Sequence, residues 1–203
     1  MRPGVRCAAA GGFVVFARLA GLAMMDGSGG QEAGQRSPAG TVLLLTDVGV
    51  SWYGPAEGEA VGRVWRELLS FTASAKAHQV PVLAVSDAAG QQHPLFAKIW
   101  AIADDGFLVA PGRVDVWRHA RLVETLGRWL RPRLVIGGGM LEGAVAFAAI
   151  NGLAAGYDAH ILVDCCIARS QRECQATLTR LGQAGAVLTT KSAVYREWDA
   201  ARA

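Results

Sequence analysis

The segment GGGMLEGAV, residues 137–145, has the composition of a turn that places a nucleophile or binds an anion. It follows the apolar run 134–136 and precedes a stretch with helical spacing of apolar residues. A glycine-rich turn between a buried strand and a helix presents backbone N–H groups to a ligand. None of the side chains in this segment is a nucleophile. The turn is therefore of a catalytic type but lacks a catalyst of its own.

Thiols and imidazoles elsewhere in the chain give weaker signals. The four cysteines contain no C-x-x-C pair, and the adjacent Cys165 and Cys166 are typical of small buried side chains in a reducing compartment. Asp87 and His93 lie in one predicted loop, but the other three histidines lie elsewhere. A metal site needs more ligands than this. We predict neither a metal nor a cofactor.

The composition bounds the class of protein. The chain has 203 residues, 52% hydrophobic residues and 18% charged residues, which predict one globular domain. A formal net charge of +3 with scattered Lys and Arg gives no sign of nucleic-acid binding. No uninterrupted apolar run reaches the length of about 18 residues that a membrane span needs.

Residues 1–40 differ from the rest and are predicted to be a disordered or targeting extension of a domain spanning 41–203. The first acidic residue is Asp26, and the stretch after it is rich in Gly and Ser. Two interpretations stay open: residues 1–25 are an Arg-rich transit peptide for the mitochondrial matrix, or translation starts at Met24 or Met25. Without a transit peptide, the predicted location is the cytoplasm.

From residue 41 onward, short apolar runs alternate with segments of helical periodicity. The predicted strands are 41–48, 80–86, 106–110, 133–138, 158–164 and 186–190, with a loop at 91–94 and an apolar helix over about 140–155. This alternation predicts a three-layer α/β fold, with a mostly parallel six-stranded sheet and helices on both faces. Asp47, Ser86, Asp87, Asp164 and the 137–144 turn would then share the edge formed by the carboxyl ends of the strands.

The chain resembles the isochorismatase-like hydrolases, also called the cysteine hydrolase superfamily. GYDAHILVD, the following ARS, and LGQAGAVLTT carry most of the likeness, which spans about residues 41–199 and is poor over 88–117. The resemblance implies a triad of Asp, Lys and Cys that attacks an amide or similar carbonyl through the thiolate. The Asp position falls on Asp47, the Lys position on Pro111 and the Cys position on Ala144. Two of the three positions are therefore predicted to be vacant.

Other residues near these positions have two interpretations each. Gly138, Gly139 and Gly143 provide amides for an anion or allow close packing. Glu142 binds a ligand or is a solvated capping carboxylate. Arg113 replaces the missing cation or lies on the surface; as an arginine it could bind or stabilise charge but could not exchange a proton.

Two functions are compatible with this pattern. The first is a catalytically silent protein that binds a small molecule or serves as a scaffold, either as a homo-oligomer or as a subunit of a larger assembly. The second is a non-covalent hydrolase or lyase of a small metabolite. In that case Asp47, buried without a cation, would stay protonated and act as the acid; otherwise Asp47 only hydrogen-bonds loop amides.

Overall fold

The computed structural model describes residues 7–10, 13–16, 37–48, 59–88, 90–110 and 113–201. These described residues contain eight strands, numbered here in chain order, and the first two are described by their backbone alone. Their bounds are β1 Cys7–Ala10, β2 Phe13–Phe16, β3 Thr41–Thr46, β4 Val82–Asp87, β5 Asp105–Val109, β6 Arg133–Met140, β7 Asp158–Ala168 and β8 Val187–Thr189. The α-helices of the described part are α1 Glu59–Ala77, α2 Pro94–Ile102, α3 Ala120–Trp129, α4 Ala146–Ala154, α5 Gln171–Gln183 and α6 Lys191–Ala200.

Six of the strands form a parallel sheet in the order β5-β4-β3-β6-β7-β8. All six positions of β3 and all eight of β6 are buried, because helices cover both faces of these central strands. The predicted α/β class and the six-stranded sheet are confirmed.

Two separate hydrophobic clusters show the three layers. One cluster joins the sheet to α3, α4 and α5 through residues such as Leu122 and Leu178. The other joins the opposite face to α1, α2 and α6 through Trp65, Ile99 and Trp198. None of the helices in the described part is long and apolar enough to cross a lipid bilayer.

Two antiparallel strands extend the sheet from within the predicted N-terminal extension. β1 pairs with β2, and β2 pairs with β7 at Val14 to Ala168 and at Val15 to Ile167. β7 reaches Ala168, four residues beyond its predicted end, and this additional length carries the pairing. That residues 1–25 are a transit peptide or precede the true start stays a prediction.

Helix α2 was not predicted from the sequence. Pro94 occupies its first turn, and His93 caps it by accepting a hydrogen bond at Nδ1 from the Leu95 N–H, at 3.1 Å. Proline suits the first helical turn because the N–H that it lacks would have no partner there. The predicted loop at 91–94 therefore ends where a helix begins.

Candidate functional site

The glycine-rich turn comes from an extended β6 followed by a single π-helical turn, Leu141–Val145, ahead of α4. The strand ends at Met140, two residues later than predicted. Gly143 breaks the helical geometry with φ −105° and ψ −114°. The polypeptide therefore changes direction one residue before Ala144, the position where the resemblance places the nucleophile.

The glycines let this turn pack directly against the end of β3. Gly138 has φ +131°, and a Cβ added to it would lie 2.0 Å from the carbonyl oxygen of Thr46. A Cβ added to Gly139 would lie 2.3 Å from the Cβ of Asp47. No real side chain tolerates these distances. The close approach brings the backbone of the turn into contact with Asp47.

Asp47 is a buried acid in an uncommon backbone conformation. The residue comes directly after β3, its φ is +49°, and it is 8% exposed. Burial, and after it the negative charge of Asp87, raise the pKa of Asp47 to about 7. Strained backbone and a perturbed carboxyl pKa are both features that concentrate at functional sites. Asp47 therefore holds its proton at neutral pH far more often than an ordinary aspartate.

Asp87 is the neighbour that sequence reasoning placed at this edge without connecting it to Asp47. It ends β4, the strand beside β3, and is 5% exposed. Its Oδ1 accepts a hydrogen bond from the Gly90 N–H at 2.9 Å. The adjacency of the two strand ends was the signal that could have identified this pair.

No lysine pairs with Asp47. The chain has three lysines: Lys76 pairs with Asp104, Lys191 pairs with Glu67, and Lys98 is exposed on α2. Among the described residues, no ion pair involves Asp47. A nearby cation would lower the pKa of this carboxyl, whereas both influences on it are in the opposite direction.

The predicted nucleophile position carries a fully buried methyl group. Ala144 is 0% exposed within the π-helical turn. The other predicted vacancy, Pro111, lies outside the described residues; Ala110, just before it, is exposed after the end of β5. A methyl group cannot form a thioester with a substrate.

Glu142 connects the turn to the end of β7. Its Oε1 accepts a hydrogen bond from the Arg169 N–H at 3.1 Å, while its Oε2 is buried without a partner in the described part of the chain. Burial raises the pKa of Glu142.

Gly143 packs closely within the turn. A Cβ added to it would lie 3.3 Å from the Cβ of Met140 and 3.6 Å from a methyl group of Val114.

Arg113 lies beyond the end of β5 and lines a hollow of about 240 Å³. Its backbone N–H donates to the carbonyl of Ala110 at 3.1 Å. Among the described residues, Arg113 is not one of the groups that shift the pKa of Asp47. That Arg113 binds a ligand stays a prediction.

Cys165 and Cys166 are buried thiols that form no disulfide, and Cys174 is also buried. Burial raises the pKa of Cys165 and of Cys166, and Asp164 raises both further. A thiol with a raised pKa is a poor nucleophile because little of it is thiolate. These cysteines therefore offer no substitute for the missing thiol.

The described part of the chain contains no metal-binding cluster. No group of three His, Cys, Asp or Glu there is placed to hold a metal ion. Trp117 donates its indole N–H to the carbonyl of Ala148 at 2.8 Å and packs against Tyr157. Its contacts are those of a structural residue.

Comparisons with known proteins agree with this architecture. The family model "Isochorismatase domain" matches residues 41–193. The probable hydrolase YcaC of Escherichia coli K12 is 28% identical over 122 residues, covering 58% of this chain and 59% of that protein. The chain therefore spans less than two thirds of the length of this curated relative.

Solved structures share the fold. The E. coli YcaC structure, described as an octameric hydrolase of unknown specificity, has a TM-score of 0.71 and 23% identity, covering 80% of this chain and 81% of that one. YcaC from Pseudomonas aeruginosa, solved with hexane-2,5-diol and covalent acrylamide, has a TM-score of 0.65 and 18% identity, covering 80% and 82%. Since the family model covers most of the chain, the protein belongs to the isochorismatase domain family.

Proposed function

We propose that this family member has lost the covalent thiol reaction and acts as a small-molecule-binding or scaffold subunit of a homo-oligomer or larger assembly. The observation that supports this most is the buried methyl group of Ala144 on a turn that contacts Asp47, a carboxyl that has no cationic partner among the described residues. When several groups act together in a reaction, removal of one of them abolishes nearly all of the activity. The octameric state of the E. coli relative supports the proposed self-association.

Acrylamide provides the test, because it forms a covalent adduct in the P. aeruginosa relative. We expect no adduct on any residue of 137–145, or on Cys165, Cys166 and Cys174, when the folded protein is treated at pH 8 and mapped by peptide mass spectrometry. The same treatment in denaturant should label these three cysteines and Cys7. An adduct on the folded turn, or on one of those cysteines, would contradict the proposal.

A second function is favoured by the raised pKa of Asp47. As the protonated acid, Asp47 would donate its proton to the leaving oxygen of a small metabolite while the bond between carbon and that oxygen breaks. Water would then add to the carbon, and the proton that this water releases would restore the acid form of Asp47. The amides of the glycine-rich turn would stabilise the developing negative charge.

This second function makes a distinct kinetic prediction. Because the acid form is required, turnover found in a substrate screen should decline as the pH rises above about 7, the pKa of Asp47. Asp47→Asn should remove it, whereas Asp199→Asn, which alters an exposed carboxylate on α6, should not. Turnover that survives Asp47→Asn would rule out this function, and an absence of turnover in the wild-type protein supports the silent role.

A further inference from the structure

The hollow beside Arg113 lies on the same edge of the sheet as Asp47 but has its own side chains. It begins at the end of β5, the strand at the border of the sheet, where Val109 pairs with Asp87. β5 is two strands away from β3, or about 10 Å at the usual spacing. Leu108, Val109 and Ala110 form its apolar side.

The polar side of the hollow is positively charged. Arg113 is exposed and has no ion-pair partner among the described residues. Arg118, which is also exposed and lies five residues later, lines the hollow as well. The one acidic residue, Asp115, is already used: it accepts hydrogen bonds from the Trp117 N–H, the Asn151 amide and Arg118 Nε. Two arginines less one aspartate leave one net positive charge.

His119 forms a further part of the hollow's lining. Its ring stacks on Phe107 with the ring centroids 4.3 Å apart, which fixes its orientation. Its Nδ1 is buried and forms no hydrogen bond within the described part of the chain. Because Nδ1 has no contact with solvent, His119 forms a wall of the hollow and offers a ligand no hydrogen bond through this atom.

Helix α3, which begins directly after His119, adds to the positive charge. It has no acidic residue in its first turn, and its N-cap side chain forms no capping hydrogen bond. The positive end of the helix dipole is therefore not compensated within the described chain. It reinforces the arginines and would not form a site without them.

We infer that this hollow binds a small monocarboxylate with an apolar substituent, held by Arg113 and Arg118 on one side and by Leu108 to Ala110 on the other. Arginine pairs with a carboxylate through two parallel hydrogen bonds, and one net positive charge matches a monovalent anion better than a divalent phosphate. The inference gives a ligand class to the binding role proposed above. It does not depend on whether Asp47 is catalytic.

Sodium benzoate is a suitable probe, followed by amide chemical shifts of the full-length protein. We expect benzoate to shift amides within 108–121, with weaker binding as NaCl is added. Arg113→Gln should weaken binding about tenfold, because a charge-assisted pair is lost. Arg180→Gln, on an exposed face of α5, should leave binding unchanged.

Several outcomes would overturn the inference. One is that benzoate shifts no amide within 108–121, and another is that Arg113→Gln binds benzoate as tightly as the wild type does. The inference also fails if uncharged benzyl alcohol binds as tightly as benzoate, or if inorganic phosphate binds more tightly. Arg113 is an exposed loop residue, so its substitution should leave the fold intact, as a circular dichroism spectrum would show. If the acrylamide experiment labels the turn while benzoate still binds here, the proposed silent function fails and this inference stands.

Discussion

Gly138→Ala is expected to destabilise the protein by more than about 4 kcal/mol, enough to leave much of the chain unfolded. The added methyl group would lie 2.0 Å from the Thr46 carbonyl oxygen and 2.9 Å from the Thr46 nitrogen, both of which belong to the central strand β3. Backbone atoms of a buried strand cannot move away as the end of a flexible side chain can. The positive φ of +131° adds a conformational penalty for any L-residue.

The matched control is Gly127→Ala on α3. That glycine is exposed, and nothing lies within 4 Å of an added Cβ. Because alanine favours helix, the variant should be more stable than the wild type by about 0.5–1 kcal/mol. Urea denaturation of the two variants and the wild type measures both effects. A Gly138→Ala protein as stable as the wild type would mean that the turn does not contact β3 as described.

Asp47→Asn is expected to stabilise the protein at pH 8 and to have little effect at pH 4. The folded-state pKa of Asp47 is about 7, against a value of 3.8 without the fold. Between these values the folded protein holds a proton that the unfolded chain releases, so the free energy of unfolding falls as the pH rises from about 4 to 7. At about 1.4 kcal/mol per pH unit, the total loss is at most about 4 kcal/mol.

Asparagine carries no titrating group and avoids this loss. Glu142 and Asp164 also have pKa values raised by burial, but both are present in the wild type and the variant, so their contributions cancel in the comparison. Glu124→Gln, which alters an exposed carboxylate on α3, is the control and should show no such pH dependence. If Asp47→Asn left the free energy of unfolding unchanged at both pH 4 and pH 8, Asp47 would be an ordinary ionised carboxylate.

The sheet could be predicted because its strands are continuous apolar runs that need cover on both faces. TVLLLT in β3 and RLVIGGGM in β6 leave no polar face for solvent, and the alternating helices supply the cover. Helix α2 was missed because the chain ahead of it contains residues typical of loops. Pro94 there begins a helix instead of breaking one.

The candidate site was predictable at the level of strand ends and not at the level of contacts. The apolar run that precedes Asp47 predicts its burial, and hence the direction of its pKa shift. The sequence did not show that Gly139 approaches Asp47 to within contact, or that Asp87 acts on it, since both depend on how neighbouring strands are aligned. The hydrogen bond from Arg169 to Glu142 joins residues 27 positions apart and had no local signal.

The most direct test is the ionisation of Asp47, followed through its side-chain carboxyl carbon by ¹³C NMR across pH 3 to 9 and assigned with Asp47→Asn. An acid packed against Gly139 of the turn, with no ammonium group beside it in the described part of the chain, should titrate with a pKa of about 7. A titration below pH 4.5 would mean that a cation pairs with Asp47 in solution, and the case for lost covalent machinery would then fail.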